Sequence, residues 1–234
     1  MSINDQIIDL RSDTVTLPPK KIINELKSVK LGDDVFSEDP TVNRLQEKAA
    51  SIMGKEDALL VPSGTMGNLV SILVHCNRGD EVILGDQAHT FLYEVGGISA
   101  FGGIHSRQLK NNDDGTIDLN QIEASIREDN VHFPPTTLIS LENTHNRCFG
   151  AALTPDYMSK VSKIAKKNKC IVHLDGARIF NASVALDLDV KELTKDVDSL
   201  SFCLSKGLSS PVGSIICGSS DFIKKARHLR KALG

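Results

Sequence analysis

The sequence predicts an α/β protein, with a mainly parallel sheet covered by helices on both faces. Two observations predict it. Short apolar runs ended by Gly, Pro or Asp recur along the chain, and segments with helical spacing and recognisable caps fall between them.

The elements follow in chain order. Residues 41–53 place Val42, Leu45, Ala49 and Ile52 on one helical face, with Asp39 as N-cap, Pro40 at the first position and Gly54 just past the end. "DALLVPSG" then reads as a buried strand, and Met66, Leu69, Val70 and Leu73 open a helix after it. "DEVILGD" is the next strand. Asp118, Leu119, Ile122 and Ile126 mark a helix over residues 118–129, followed by the strand "TLISLEN". A helix over residues 155–169 repeats the Thr154 cap and Pro155 start, with Met158, Val161 and Ala165 facing inward. "CIVHLDG" is a strand. In "SLSFCLSKG" Leu200, Phe202 and Leu204 alternate with serines and a cysteine, which predicts a half-buried strand that delivers Lys206 to a turn. Phe222, Ile223, Ala226, Leu229 and Leu233 recur at helical spacing near the end. Lys224, Lys225, Arg227, Arg230 and Lys231 are then the wet face of an amphipathic helix rather than a nucleic-acid patch.

Composition sets the bounds. The 234 residues are 40% hydrophobic with a formal net charge of −3, enough to bury a sizeable core in one large domain or one and a half. The mild acidity offers no general attraction for nucleic acid or anionic membrane. No stretch approaches the roughly 20 apolar residues of a membrane span, and Met1–Leu10 lack the pattern of a secretory signal. Five scattered cysteines without a C-x-x-C pair fit free thiols in a reducing compartment, with the cytoplasm as the default location.

In open α/β sheets ligands bind beyond the carboxyl ends of the strands, so polar residues just after apolar runs are the candidates. "VPSGTMGN" offers the N–H groups of Gly64 and Thr65 at a helix start, with hydroxyls from Ser63 and Thr65; it suits a phosphate or is an ordinary N-cap turn. Asp175 in "LDGAR" either caps the next helix or holds a heterocyclic nitrogen protonated, and Arg178 can clamp a carboxylate. His89 in "GDQAHTF" and His145 in "ENTHN" also follow apolar runs; each is a structural histidine or part of a site. Lys206, with small neighbours including Ser205, is a solvated lysine or an amine for a Schiff base. A lysine, an acid and a phosphate cradle together are what pyridoxal phosphate requires.

"IDLRSDTVTLP", "GDDVFSEDPTVNRLQEKAA", "PSGTMGN", "ENTHN", "HLDGAR" and "LSKGLSSPVGS", in this order, resemble the low-specificity L-threonine aldolases, pyridoxal-phosphate enzymes of the aspartate-aminotransferase fold type related to the β-eliminating lyases. The resemblance runs from about Ile8 to the last residue. It implies that Lys206 bonds the cofactor, Asp175 pairs with its ring nitrogen and His89 stacks on its face. It also implies that Gly64 and Thr65 hold the phosphate, with Arg178 and Ser205 nearby. Ser12 and Arg178 would bind the substrate carboxylate, and His145 would lie by the substrate hydroxyl as candidate base. No metal is implied. The implied reaction is cleavage of L-threonine or L-allo-threonine to glycine and acetaldehyde, in a homodimer or homotetramer with no nucleic-acid or membrane partner.

The chain departs from the pattern in three places. By the resemblance, residues 1–234 are expected to correspond to the large, cofactor-binding domain, without the C-terminal small domain of on the order of a hundred residues that normally supplies a second arginine. Phe36-Ser37 stands where Tyr-Gly is usual, and Phe149 where a second glycine is common. Two further readings stay open: another pyridoxal-phosphate lyase on the same scaffold, or a non-catalytic homologue acting as a cofactor-binding or subunit-interaction module.

Overall fold

The computed structural model describes residues 8–234. After a 3-10 turn at Asp13–Val15 and a short outlying helix α1 (Lys20–Glu25), α2 (Pro40–Met53) begins the regular alternation. Asp39 caps α2 by accepting the N–H groups of Thr41 and Val42, and Gly54 ends it in the left-handed conformation at φ 64°. Then come β1 (Asp57–Val61), α3 (Gly64–His75), β2 (Glu81–Gly85), the short helices α4 (His89–Leu92) and α5 (Gly97–Gly102), and β3 (His105–Leu109). The second half holds α6 (Leu119–Ser125), β4 (Thr136–Glu142), α7 (Pro155–Lys167), β5 (Ile171–Asp175), α8 (Ile179–Leu186) and α9 (Val190–Thr194). It closes with β6 (Ser199–Cys203), β7 (Ser214–Gly218) and α10 (Ser220–Leu233).

The sheet has seven strands in the order β1-β7-β6-β5-β4-β2-β3. Pairs β2·β3, β2·β4, β4·β5 and β5·β6 are parallel, whereas β7 is antiparallel to both of its neighbours. Alternate residues of each strand enter opposite layers. Ile83, Ile139, Val172, Leu174, Leu200, Phe202 and Ile215 join Met53, Met158, Val161, Ile179 and Leu193 on one side. Val82, Leu84 and Leu138 meet Leu69, Ile72 and Ile98 on the other, where Leu59, Val61 and Ile216 meet Val70, Phe222 and Ile223. Burial on both faces is what a mainly parallel sheet demands.

Several expectations change. The α2 face that faces the core is Gln46, Ala49, Ala50 and Met53, while Val42, Leu45 and Ile52 are only partly buried. Helix α6 stops at Ser125: the Arg127 N–H donates to Thr136 Oγ1 and its guanidinium to the buried Glu81, which pulls the chain out of helical geometry. Strand β6 is buried throughout rather than half-buried, because its serines lie under α3 instead of facing water. β3 and β7 escaped the sequence reading; β3 (HSRQL) is a polar edge strand without apolar periodicity. The wet face of α10 is smaller than predicted. Arg230 pairs with Asp34 and donates to the Leu60 carbonyl at 2.8 Å, while Lys224, Lys225 and Lys231 remain exposed. All five cysteines are free and buried. Among the described residues no helix is long and apolar enough to cross a membrane.

Candidate active site

The carboxyl ends of β4, β5 and β6 and the start of α3 converge. Glu142 and Asp175 are the last residues of β4 and β5 and are register partners, so two carboxylates lie side by side, 6% and 4% exposed. Asp175 Oδ1 accepts the Ala177 N–H at 3.0 Å and Oδ2 accepts from Asn68 Nδ2 at 2.8 Å. The Asp175 carboxylate is thus held by neutral donors. Glu142 accepts the backbone N–H groups of His89 at 2.8 Å and Asn146 at 2.9 Å. Burial and the Asp175 charge nonetheless push its carboxyl above the ordinary range.

His89 opens α4 and shares a contact of 2.8 Å between its Nδ1 and Glu94 Oε1. That hydrogen bond raises the His89 pKa against the opposing effect of burial, with Asp175 and Glu142 adding to the rise. Glu94 is itself raised by burial. His89, Glu94 and Asp175 present ligand atoms within 4.8 Å of one another, yet Asn68 Nδ2 donates to both carboxylates, so the cluster is already knit by N–H donors.

His145 sits in the turn after β4 and is 1% exposed. Gly115 has no side chain there because a Cβ would come within 2.9 Å of His145 Cβ. Burial lowers the His145 pKa, and its Nδ1 is buried without a hydrogen-bond partner among the described residues. Buried nitrogens normally have a partner, so this one stands out in the site.

At the start of α3, Ser63 Oγ accepts the Met66 N–H at 3.1 Å and the Ser63 carbonyl accepts the Gly67 N–H at 3.0 Å. The N–H groups of Gly64 and Thr65 are left to face outward at the positive end of a 12-residue helix, as an anion site needs. Gly64 is required for close approach, since a Cβ would come within 2.9 Å of Cys203 Sγ.

Lys206 lies three residues past β6 in a bend, partly buried, with Ser205 held by its N–H to the Gly213 carbonyl at 3.3 Å. The Lys206 charge reaches Asp13. Burial pushes Asp13 up, but Arg178 and Lys206 outweigh it and leave its carboxyl below the usual range. Arg178 is therefore not the free clamp the sequence suggested. Its Nε and Nη2 donate to Asp13 at 2.6 Å each. A guanidinium has five N–H donors, so the Nη1 side remains for a second carboxylate. Ser12, Arg178, Thr144, Asn146 and Asn181 line a cleft of about 610 Å³ beside this pair.

Every candidate named from sequence thus falls at one end of the sheet. Asn68, Glu94, Glu142 and Asp13 were missed as site residues. Asn68, Glu142 and Asp13 lie inside the motifs named above, but their side chains gain meaning only through β-strand register, the α3 packing and the distant Arg178.

Fold and site together define an α/β domain that gathers an amine, a buried carboxylate and a helix N-terminus at the carboxyl ends of its parallel strands. The beta-eliminating lyase family model matches residues 9–234. The chain belongs to that family. It is 53% identical over 230 residues to "Low-specificity L-threonine aldolase 1" of Arabidopsis thaliana, covering 97% of this chain and 64% of that one. It is 45% identical over 228 residues to "Low specificity L-threonine aldolase" of Escherichia coli, covering 97% and 68%. The chain therefore spans about two thirds of the length of the relatives it matches. A solved structure of Leishmania major threonine aldolase shares the fold with a TM-score of 0.79 at 21% identity, over 94% of this chain and 65% of that one.

Proposed function

We propose that this chain is the cofactor-binding large domain of a pyridoxal-phosphate-dependent aldolase that cleaves L-threonine and L-allo-threonine to glycine and acetaldehyde. The single observation that carries the reading is the convergence of Lys206, Asp175 and the open N–H groups of Gly64 and Thr65 at one sheet end. The names of the relatives, at 45% to 53% identity, support the same reaction.

The residues fit the cofactor chemically. A helix N-terminus with free N–H groups suits a phosphate, a hydrogen-bonded carboxylate suits a protonated ring nitrogen, and the orphaned His145 Nδ1 calls for a ligand atom. When bound, pyridoxal phosphate supplies a ring that withdraws electrons from the substrate Cα. Lys206 would hold the cofactor through its amine and, once released by the substrate, would be the group that carries a proton to Cα. Asp175 would face the ring nitrogen and favour its protonated form, and Gly64, Thr65 and Ser205 would hold the phosphate. His89, oriented by Glu94, would cover the ring.

Ser12 and the Nη1 side of Arg178 hold the substrate carboxylate, with Asp13 bracing the guanidinium from its other side. Holding that carboxylate orients the bond to be broken. His145 Nδ1 takes the β-hydroxyl proton; a base kept neutral by burial is ready to accept it. The enzyme works as a homodimer or homotetramer in the cytoplasm. Phe149 and Val95, close in sequence to the two site histidines, are 94% and 96% exposed, which suits cover by a second subunit.

The test is reconstitution with pyridoxal phosphate and L-threonine, following acetaldehyde with a coupled reductase. Acetaldehyde release together with a visible absorption band that Lys206→Ala abolishes is the expected result. A visible band that survives in Lys206→Ala overturns the lysine assignment. A lysine-dependent band without acetaldehyde from either threonine isomer overturns the aldolase reading in favour of another lyase or a binding module.

A further inference from the structure

The side of the sheet under α3 is polar where it should be apolar. Ser140, Glu142, His173, Asp175, Ser199 and Ser201 are at most 6% exposed, and α3 lays Asn68 and His75 over this stripe. Gly67 lets the helix sit close: a Cβ there would meet Ile216 Cγ2 at 3.3 Å and Ser201 Cβ at 3.4 Å. Burying so many polar groups costs stability unless each is paired. Here His173, Asp175, Ser199 and Ser201 pair into one chain with His75 and Asn68. His75 Nε2 lies 2.7 Å from Ser199 Oγ, which lies 2.9 Å from His173 Nδ1. His173 Nε2 lies 3.3 Å from Asn68 Oδ1, which also meets Ser201 Oγ at 2.8 Å. Asn68 Nδ2 is 2.8 Å from both Asp175 Oδ2 and Glu94 Oε1.

The donor roles in this chain are forced. Two carboxylate oxygens facing one amide fix Asn68 with its NH2 toward them and its oxygen toward His173 and Ser201. An amide oxygen only accepts, so His173 carries its proton on Nε2. Its bare Nδ1 then accepts a hydrogen bond from the Ser199 hydroxyl, and the Ser199 oxygen accepts from His75 Nε2–H. Every donor points toward Asp175.

We infer that Asn68, backed by the directional chain His75, Ser199 and His173, is the positioning residue that aims the Asp175 carboxylate, and so keeps the facing ring nitrogen protonated. The inference rests on the proposed cofactor reading. Both histidines are neutral, burial having lowered His75 to about 4 and His173 to about 3, as the directional chain requires. The same Asn68 amide touches Glu94, which orients His89, so one side chain fixes both residues that meet the ring.

Two measurements test this. In the protein without cofactor, long-range ¹⁵N–¹H NMR of labelled histidines should show His173 and His75 as neutral Nε2–H tautomers, assigned with His173→Gln and His75→Gln. An Nδ1–H tautomer at His173 reverses the chain and overturns the inference. With ring-¹⁵N-labelled pyridoxal phosphate bound, Asn68→Ala should lose the ring-nitrogen proton signal that the unsubstituted protein gives. His173→Leu should weaken that signal, while His173→Gln, which can still donate to Asn68, should retain it. This second pair serves if Asn68→Ala does not fold. Bound cofactor with an unchanged ring-nitrogen signal in Asn68→Ala, or in both His173 variants, overturns the inference and leaves the proposed function standing. Failure of the unsubstituted protein to bind the cofactor refutes the functional reading instead, and the tautomer result still decides the direction of the chain.

Discussion

Acid should unfold this protein through the two histidines under α3. A free histidine titrates near 6.5, but burial lowers His75 to about 4 and His173 to about 3. Both are depressed in the folded state, so the unfolded chain binds the protons first as pH falls. Their contribution to stability is therefore complete above about pH 6.5 and is lost from there down to about pH 4 for His75 and about pH 3 for His173. Each loses about 1.4 kcal/mol per pH unit over that window, so about 2 kcal/mol each and about 4 kcal/mol together have gone by about pH 5.

The assay is urea unfolding at about pH 8 and about pH 5, for the unsubstituted protein and for His75→Gln/His173→Gln. His89, whose pKa is raised by Glu94, acts in the opposite direction, but it is common to both proteins and cancels. The unsubstituted protein should lose about 4 kcal/mol more than the double variant between the two conditions. Equal losses would refute the claim that both histidines are held neutral in the core.

Two further expectations concern backbone and packing. Ser37 and Phe149 stand in left-handed conformations at φ 59° and 56°, where a side chain costs roughly 1 to 2 kcal/mol and glycine little. Ser37→Gly and Phe149→Gly should each raise stability by about 0.5 to 1 kcal/mol after glycine's extra unfolded-state entropy, read by thermal unfolding. A drop in melting temperature for both would refute the strain argument. Gly64→Ala drives a methyl into Cys203 Sγ, 2.9 Å away, and should cost about 1 to 3 kcal/mol, regained in part by adding Cys203→Ala. If Gly64 also cradles phosphate, the variant should weaken binding of pyridoxal phosphate more than of pyridoxal; equal weakening argues against the cradle.

Sequence alone determined the alternation of strands and helices, because apolar runs and caps such as Asp39 with Pro40 and Thr154 with Pro155 act over a few residues. It also marked Lys206, Asp175, Gly64, Thr65, His89, His145 and Arg178, since polar residues after apolar runs fall at one end of a parallel sheet, while Ser12 was named only through the family resemblance. Tertiary structure decided the rest. The Asp13 grip on Arg178 joins residues 165 apart, and the contact of Asn68 with Asp175 spans 107. The buried state of β6 depends on α3 lying over Ser199 and Ser201, not on any pattern within the strand. Local periodicity records which face of an element is apolar; which polar atom finds which partner is set only when distant segments share the same few ångströms of water-free space.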